Sequence, residues 1–103
     1  MSTGTSRKEI PGVELSGTPV ASLRVTLPNG DMVVIPWALF LKAQLLSGEE
    51  GNLGLLCFVS GTIRLEAGLT TLQSIMEGAS MLWLRTLRCD PLGVYAIELQ
   101  EPD

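Results

Sequence analysis

The chain has 103 residues, the length of one domain, and 46% of them are hydrophobic, with 11 glycines in addition and only 17% charged. Seven basic and eleven acidic residues give a net charge of −4, the basic ones are scattered, and nucleic acid and anionic membrane surfaces are therefore excluded as expected partners. Histidine is absent, which removes the commonest general base and metal ligand, and with it Ser-His-Asp and Cys-His catalysis and any histidine pH switch.

Residues 1–21 are rich in Ser, Thr, Gly and Pro and carry isolated apolar residues only. Such a segment buries too little surface to offset its ordering entropy, so it reads as a flexible arm, with a short strand near Val13–Leu15 left open. Its start has no apolar h-region, so no signal peptide is expected and the chain reads as cytoplasmic. The most apolar stretch, Met32 to Leu46, contains Pro36, Lys42 and Gln44 and is too short and interrupted to span a bilayer.

A single domain is expected over residues 22–100. Leu23, Val25 and Leu27 alternate with Arg24 and Thr26, the period of a half-buried strand. Pro28-Asn29-Gly30 supplies turn chemistry, and Met32-Val33-Val34-Ile35 returns as the second arm of a hairpin. Pro36 suits a first helical turn, and the Ala, Leu, Lys and Gln of Trp37 to Leu46 favour a helix ended by Ser47-Gly48. Glu49-Glu50-Gly51-Asn52 is read as an acidic loop.

Leu55 to Val59, apolar on both faces, reads as a strand near the middle of a sheet. Ser60-Gly61 is its turn and Thr62 to Glu66 the return strand. Thr70-Thr71-Leu72-Gln73 fits a capping box, Leu72, Ile75 and Met76 share a helical face, and Gly78 is a natural stop. Strands Met81 to Arg88 and Val94 to Gln100 follow, joined by Cys89-Asp90-Pro91-Leu92-Gly93, and 101–103 is a solvated tail. The fold class is therefore α+β, a mainly antiparallel sheet of about six strands with two helices, in the order ββα-ββα-ββ.

Few residues carry candidate chemistry. Cys57 lies in an apolar run and reads as a small hydrophobe; Cys89 has no histidine to activate it and Asp90 beside it. Neither forms a zinc spacing, and no cofactor or metal is expected. Glu49 and Glu50 are adjacent, and Glu66 sits beside a turn; none of these gives the cross-cleft carboxylate pair that glycoside chemistry needs. Ser60 lacks a G-x-S-x-G context, Lys8 and Lys42 lack an S-x-x-K context, and no phosphate-cradling glycine motif is present. Arg85 and Arg88 with Asp90 read as a solvated strand end rather than an anion site. No enzyme is expected.

The apolar share, roughly 55% with glycine counted, exceeds the usual range, and a domain this small cannot readily hide the excess. The leading expectation is a non-catalytic protein–protein interaction or assembly module that forms a homodimer. Trp83, Leu87, Met32, Val34 and Arg85 are its candidate interface residues, with an unidentified protein as a further partner. Trp37 and Trp83 are each also candidate core rings. The alternative is a small-molecule binding or sensory domain with an apolar pocket between sheet and helices.

Overall fold

The computed structural model describes residues 10–49 and 51–102. The expected hairpin opens the main body: β2 (Ser22–Thr26) pairs antiparallel with β3 (Met32–Pro36), Leu23 facing Ile35 and Val25 facing Val33. Its turn is closed by Gly30 N donating to Leu27 O at 2.9 Å, with Gly30 at φ +94°, a conformation that favours glycine. Asn29 Oδ1 accepts the Asp31 N–H at 2.9 Å, an Asx turn that fixes the reversal. Ahead of the hairpin, Val13–Leu15 forms the short strand β1, so part of the segment assigned to an arm belongs to a sheet; residues 1–9 lie outside the described residues.

The expected helix at Trp37–Leu46 is not formed. One turn of 3-10 helix, Trp37–Leu39, passes directly into a nine-residue strand, β4 (Phe40–Gly48). Helix propensity is a weak prior, and here pairing decides: β4 lies antiparallel to β5 (Gly51–Phe58) over almost its whole length, with Gly48 facing Gly51 across the turn. Of the expected acidic loop, Gly51 and Asn52 belong instead to β5. β6 (Gly61–Glu66) returns from β5, and α1 (Leu69–Ser80) follows.

The start of α1 also differs from expectation. Gly68 is the N-cap, no side chain caps the helix, and its carbonyl accepts Leu72 N–H at 3.0 Å. Gly78 is inside the helix, which ends when Leu82 adopts φ +61°. Trp83 N donates to Gly78 O at 2.8 Å and Leu82 N to Ala79 O at 3.0 Å, the paired bonds of a Schellman turn with leucine at the usual glycine position. Strands β7 (Leu84–Arg88) and β8 (Ala96–Gln100) complete the chain.

Among the described residues the strands form two sheets of four rather than one of six. The first has the order β1-β7-β2-β3, with β2 and β7 parallel and the other pairs antiparallel. The second, β4-β5-β6-β8, is antiparallel throughout. β5 is interior, as its two apolar faces imply, and β8 is an edge. β2 is interior too, and its alternation reflects Leu23 and Val25 buried while Arg24 faces solvent.

One core joins both sheets and the helix. Leu23, Val25, Leu84 and Leu87 enter it from the first sheet; Leu56, Ile63 and Leu65 enter from the second; Leu72 and Ile75 enter from α1. Each such side chain contributes about 1.5–3 kcal/mol by burial. Trp37 is the joint between the layers. Its Nε1 donates to Leu84 O of the first sheet at 3.1 Å, and its ring meets Phe40 edge-on at 4.9 Å and Phe58 at 5.5 Å, both in the second. Gly54 lets α1 approach β5 closely, because a Cβ there would lie 2.9 Å from Leu72 Cδ2.

Candidate functional site

The two sheets turn their apolar faces to the common core and their other faces outward. On the first sheet the outward row runs Glu14, Thr86, Arg24, Val34, from β1 to β3. Thr86 Oγ1 donates to Glu14 Oε1 at 3.1 Å across that row. Met32 and Val34, both proposed from sequence, are 58% and 54% exposed on the edge strand β3. They form a small apolar area at the margin of a polar face.

Three other candidate interface residues fall apart spatially. Leu87 is fully buried between Val13 and Val25 and presents nothing to a partner. A β-bulge explains the misreading: Leu15 faces Leu84 and Glu14 faces Thr86, which leaves Arg85 as the extra residue. The bulge resets the alternation, so Leu84 and Leu87 both point inward and Arg85 outward. Trp83 is half-buried just before β7, with its backbone held by Gly78 and by Ser16 N, which donates to Trp83 O at 2.8 Å. Trp37, by contrast, is a core ring at 4% exposure.

The second sheet presents Lys42, Gln44 and Leu46 of β4 outward, then Leu53, Leu55 and Cys57 of β5, then Thr62, Arg64 and Glu66 of β6. A shallow groove of about 350 Å³ lies here, between the β4–β5 hairpin and Arg64 and Glu66. It sits on the outer face, not between sheet and helix. Arg64 is 3.7 Å from Glu98, an exposed pair of little energetic weight. Arg88 and Asp90 are 4.0 Å apart, a local ion pair at the end of β7. Asp90 Oδ1 instead accepts the Leu92 N–H at 2.9 Å and shapes the loop before β8.

Cys57 and Cys89 are free, half-buried thiols on different sheets' strands and loops. No group of three or more His, Cys, Asp or Glu residues comes together among the described residues. No helix among them is long and apolar enough to cross a membrane.

The surface that sequence reasoning missed is β4. None of its residues is buried, Leu41 is 64% and Leu46 42% exposed, and β4 ends its sheet. The signal was present in the alternation from Lys42 to Leu46 and in the Gly48–Gly51 turn. It was masked by a second bulge, where Phe40 faces Phe58 and Lys42 faces Cys57, leaving Leu41 extra. No protein-family model, curated protein or solved structure matches the chain.

Proposed function

We propose that this chain is a non-catalytic protein-interaction module that associates with itself. The observation that carries this reading is β4: a nine-residue strand with two exposed leucines, at a sheet edge that no described residue pairs with. An edge of that length offers a row of backbone donors and acceptors to another strand, beside apolar side chains that gain by leaving water. The exposed margin of Met32 and Val34 is the second candidate contact surface, while Trp83 and Arg85 lie apart from it, before and within β7. Leu87 is withdrawn from it because it is internal.

Light scattering across a dilution series tests the proposal. The expected mass at high micromolar concentration is about twice the 11.0 kDa of one chain. A mass of one chain throughout that range would refute self-association.

A further inference from the structure

We infer that the self-association surface is the free edge of β4, and that two copies join through antiparallel β4 strands about a two-fold axis at Leu45, making one continuous eight-stranded sheet. This rests on the self-association proposed above and specifies its geometry.

The four sheet edges are not equivalent. β1 has three residues; β3 has five and ends in Pro36, which has no N–H to offer. β8 also has five, carries Glu98, and runs into Glu101-Pro102. Short length, proline and edge charge are the devices that blunt an edge. β4 has its bulge and its one charge, Lys42, at the start, and Ala43 to Gly48 carries neither.

The alternation of the hairpin decides which backbone groups are free. Gly48 and Gly51 close a two-residue turn as a hydrogen-bonded pair, so Leu46/Leu53 and Gln44/Leu55 exchange bonds in turn. Ala43, Leu45 and Ser47 therefore direct their N–H and C=O away from β5. The next hairpin gives the same phase independently: Phe58 and Gly61 close it, which commits Leu56 and Gly54 to β6, so their partners Ala43 and Leu45 cannot bond back.

Only one two-fold register uses all three outward residues. With Leu45 facing its own copy, Ala43 meets Ser47 of the second copy, and about six backbone hydrogen bonds form. A shift of two residues either way loses about two of them. The same register sets Lys42 opposite Gly48 and beside Glu49 of the second copy, so opposite charges meet at both ends. It also sets Gln44 opposite Leu46 on the outer face. A second copy is thus a better match for this edge than an arbitrary strand.

The test exploits that last pairing. Gln44 and Leu46 would face each other as a non-hydrogen-bonded pair, with Cα atoms about 4.5 Å apart, within disulfide reach. Two copies of Gln44 would be about 7–8 Å apart, and so would two copies of Leu46. Gln44→Cys and Leu46→Cys are each made in a Cys57→Ala, Cys89→Ala background; both sites are exposed, so the fold is retained. Under mild oxidation, mixing the two variants is expected to give the mixed disulfide, identified by intact mass, at least about fivefold faster than either variant alone crosslinks. Equal rates for the 44–44, 46–46 and mixed products overturn the register and the inference. No crosslink in a background protein that scattering shows to be dimeric overturns the β4 edge while self-association stands. A monomeric background protein overturns both.

Discussion

Replacing Trp37 isolates the joint between the two sheets. Trp37→Phe keeps an aromatic ring at the position but removes the indole Nε1 donor to Leu84 O and one ring's worth of packing against Phe40 and Phe58. Stranding a buried carbonyl costs about 1–2 kcal/mol. The smaller ring forfeits about 40 Å² of apolar contact, or ~1 kcal/mol at 25 cal/mol/Å². The sum, about 2–3 kcal/mol, is a large fraction of the roughly 5–15 kcal/mol that holds a domain folded. With a urea slope of roughly 1.5 kcal/mol/M for a chain of this size, the midpoint should fall by about 1.3–2 M at unchanged slope. Trp37→Ala removes the ring as well and should cost about 4–5 kcal/mol. Far-UV circular dichroism at one fixed protein concentration follows the unfolding, since self-association would make the midpoint concentration-dependent. Trp83, the remaining indole, reports independently by fluorescence. A fall of less than about 0.3 M for Trp37→Phe would show that the Leu84 bond contributes nothing net and that the layers are held by other contacts.

Val34→Glu should leave both the dimer and the fold intact, within about 0.5 kcal/mol, because Val34 is exposed and belongs to the first sheet, not to the one that β4 ends; a monomeric variant in light scattering would move the interface to the first sheet. Gly54→Val should lower stability by about 2–3 kcal/mol in urea titration, since Leu72 Cδ2 and Met76 Cε already stand 2.9 and 3.1 Å from where the Cβ must go; an unchanged midpoint would mean that α1 lifts freely from β5. Leu82→Val should be less stable than Leu82→Ala by about 1 kcal/mol, because a β-branched residue tolerates the φ of +61° least, although it is the larger apolar side chain. Elemental analysis of the purified protein should find well below one zinc or transition metal per chain, given the missing histidine.

What the sequence determined by itself is local. Turn chemistry at Pro28-Asn29-Gly30 and the alternation on either side located the first hairpin, because a period of two and a glycine at positive φ are properties of the segment alone. The apolar run at Leu55–Val59 located the interior strand, although Val59 itself lies in the turn that follows it, and Leu72, Ile75 and Met76 located α1, for the same reason. Only the tertiary structure decided the rest. Trp37, Phe40 and Leu41 stand at helical spacing, and residues 38–46 have helical propensity, yet pairing with β5 and packing of Trp37 against both sheets outweigh a preference of at most a few tenths of a kcal/mol per residue. Bulges at Leu41 and Arg85 each shift the inside–outside phase by one residue, which turned Leu87 inward and hid the exposed edge of β4. A bulge is set by what the neighbouring strand offers, and that neighbour is distant in the chain for Arg85: β1 lies some seventy residues earlier. The split into two sheets has the same origin, since strand order depends on which edges meet across the shared core and not on the pattern within any one strand.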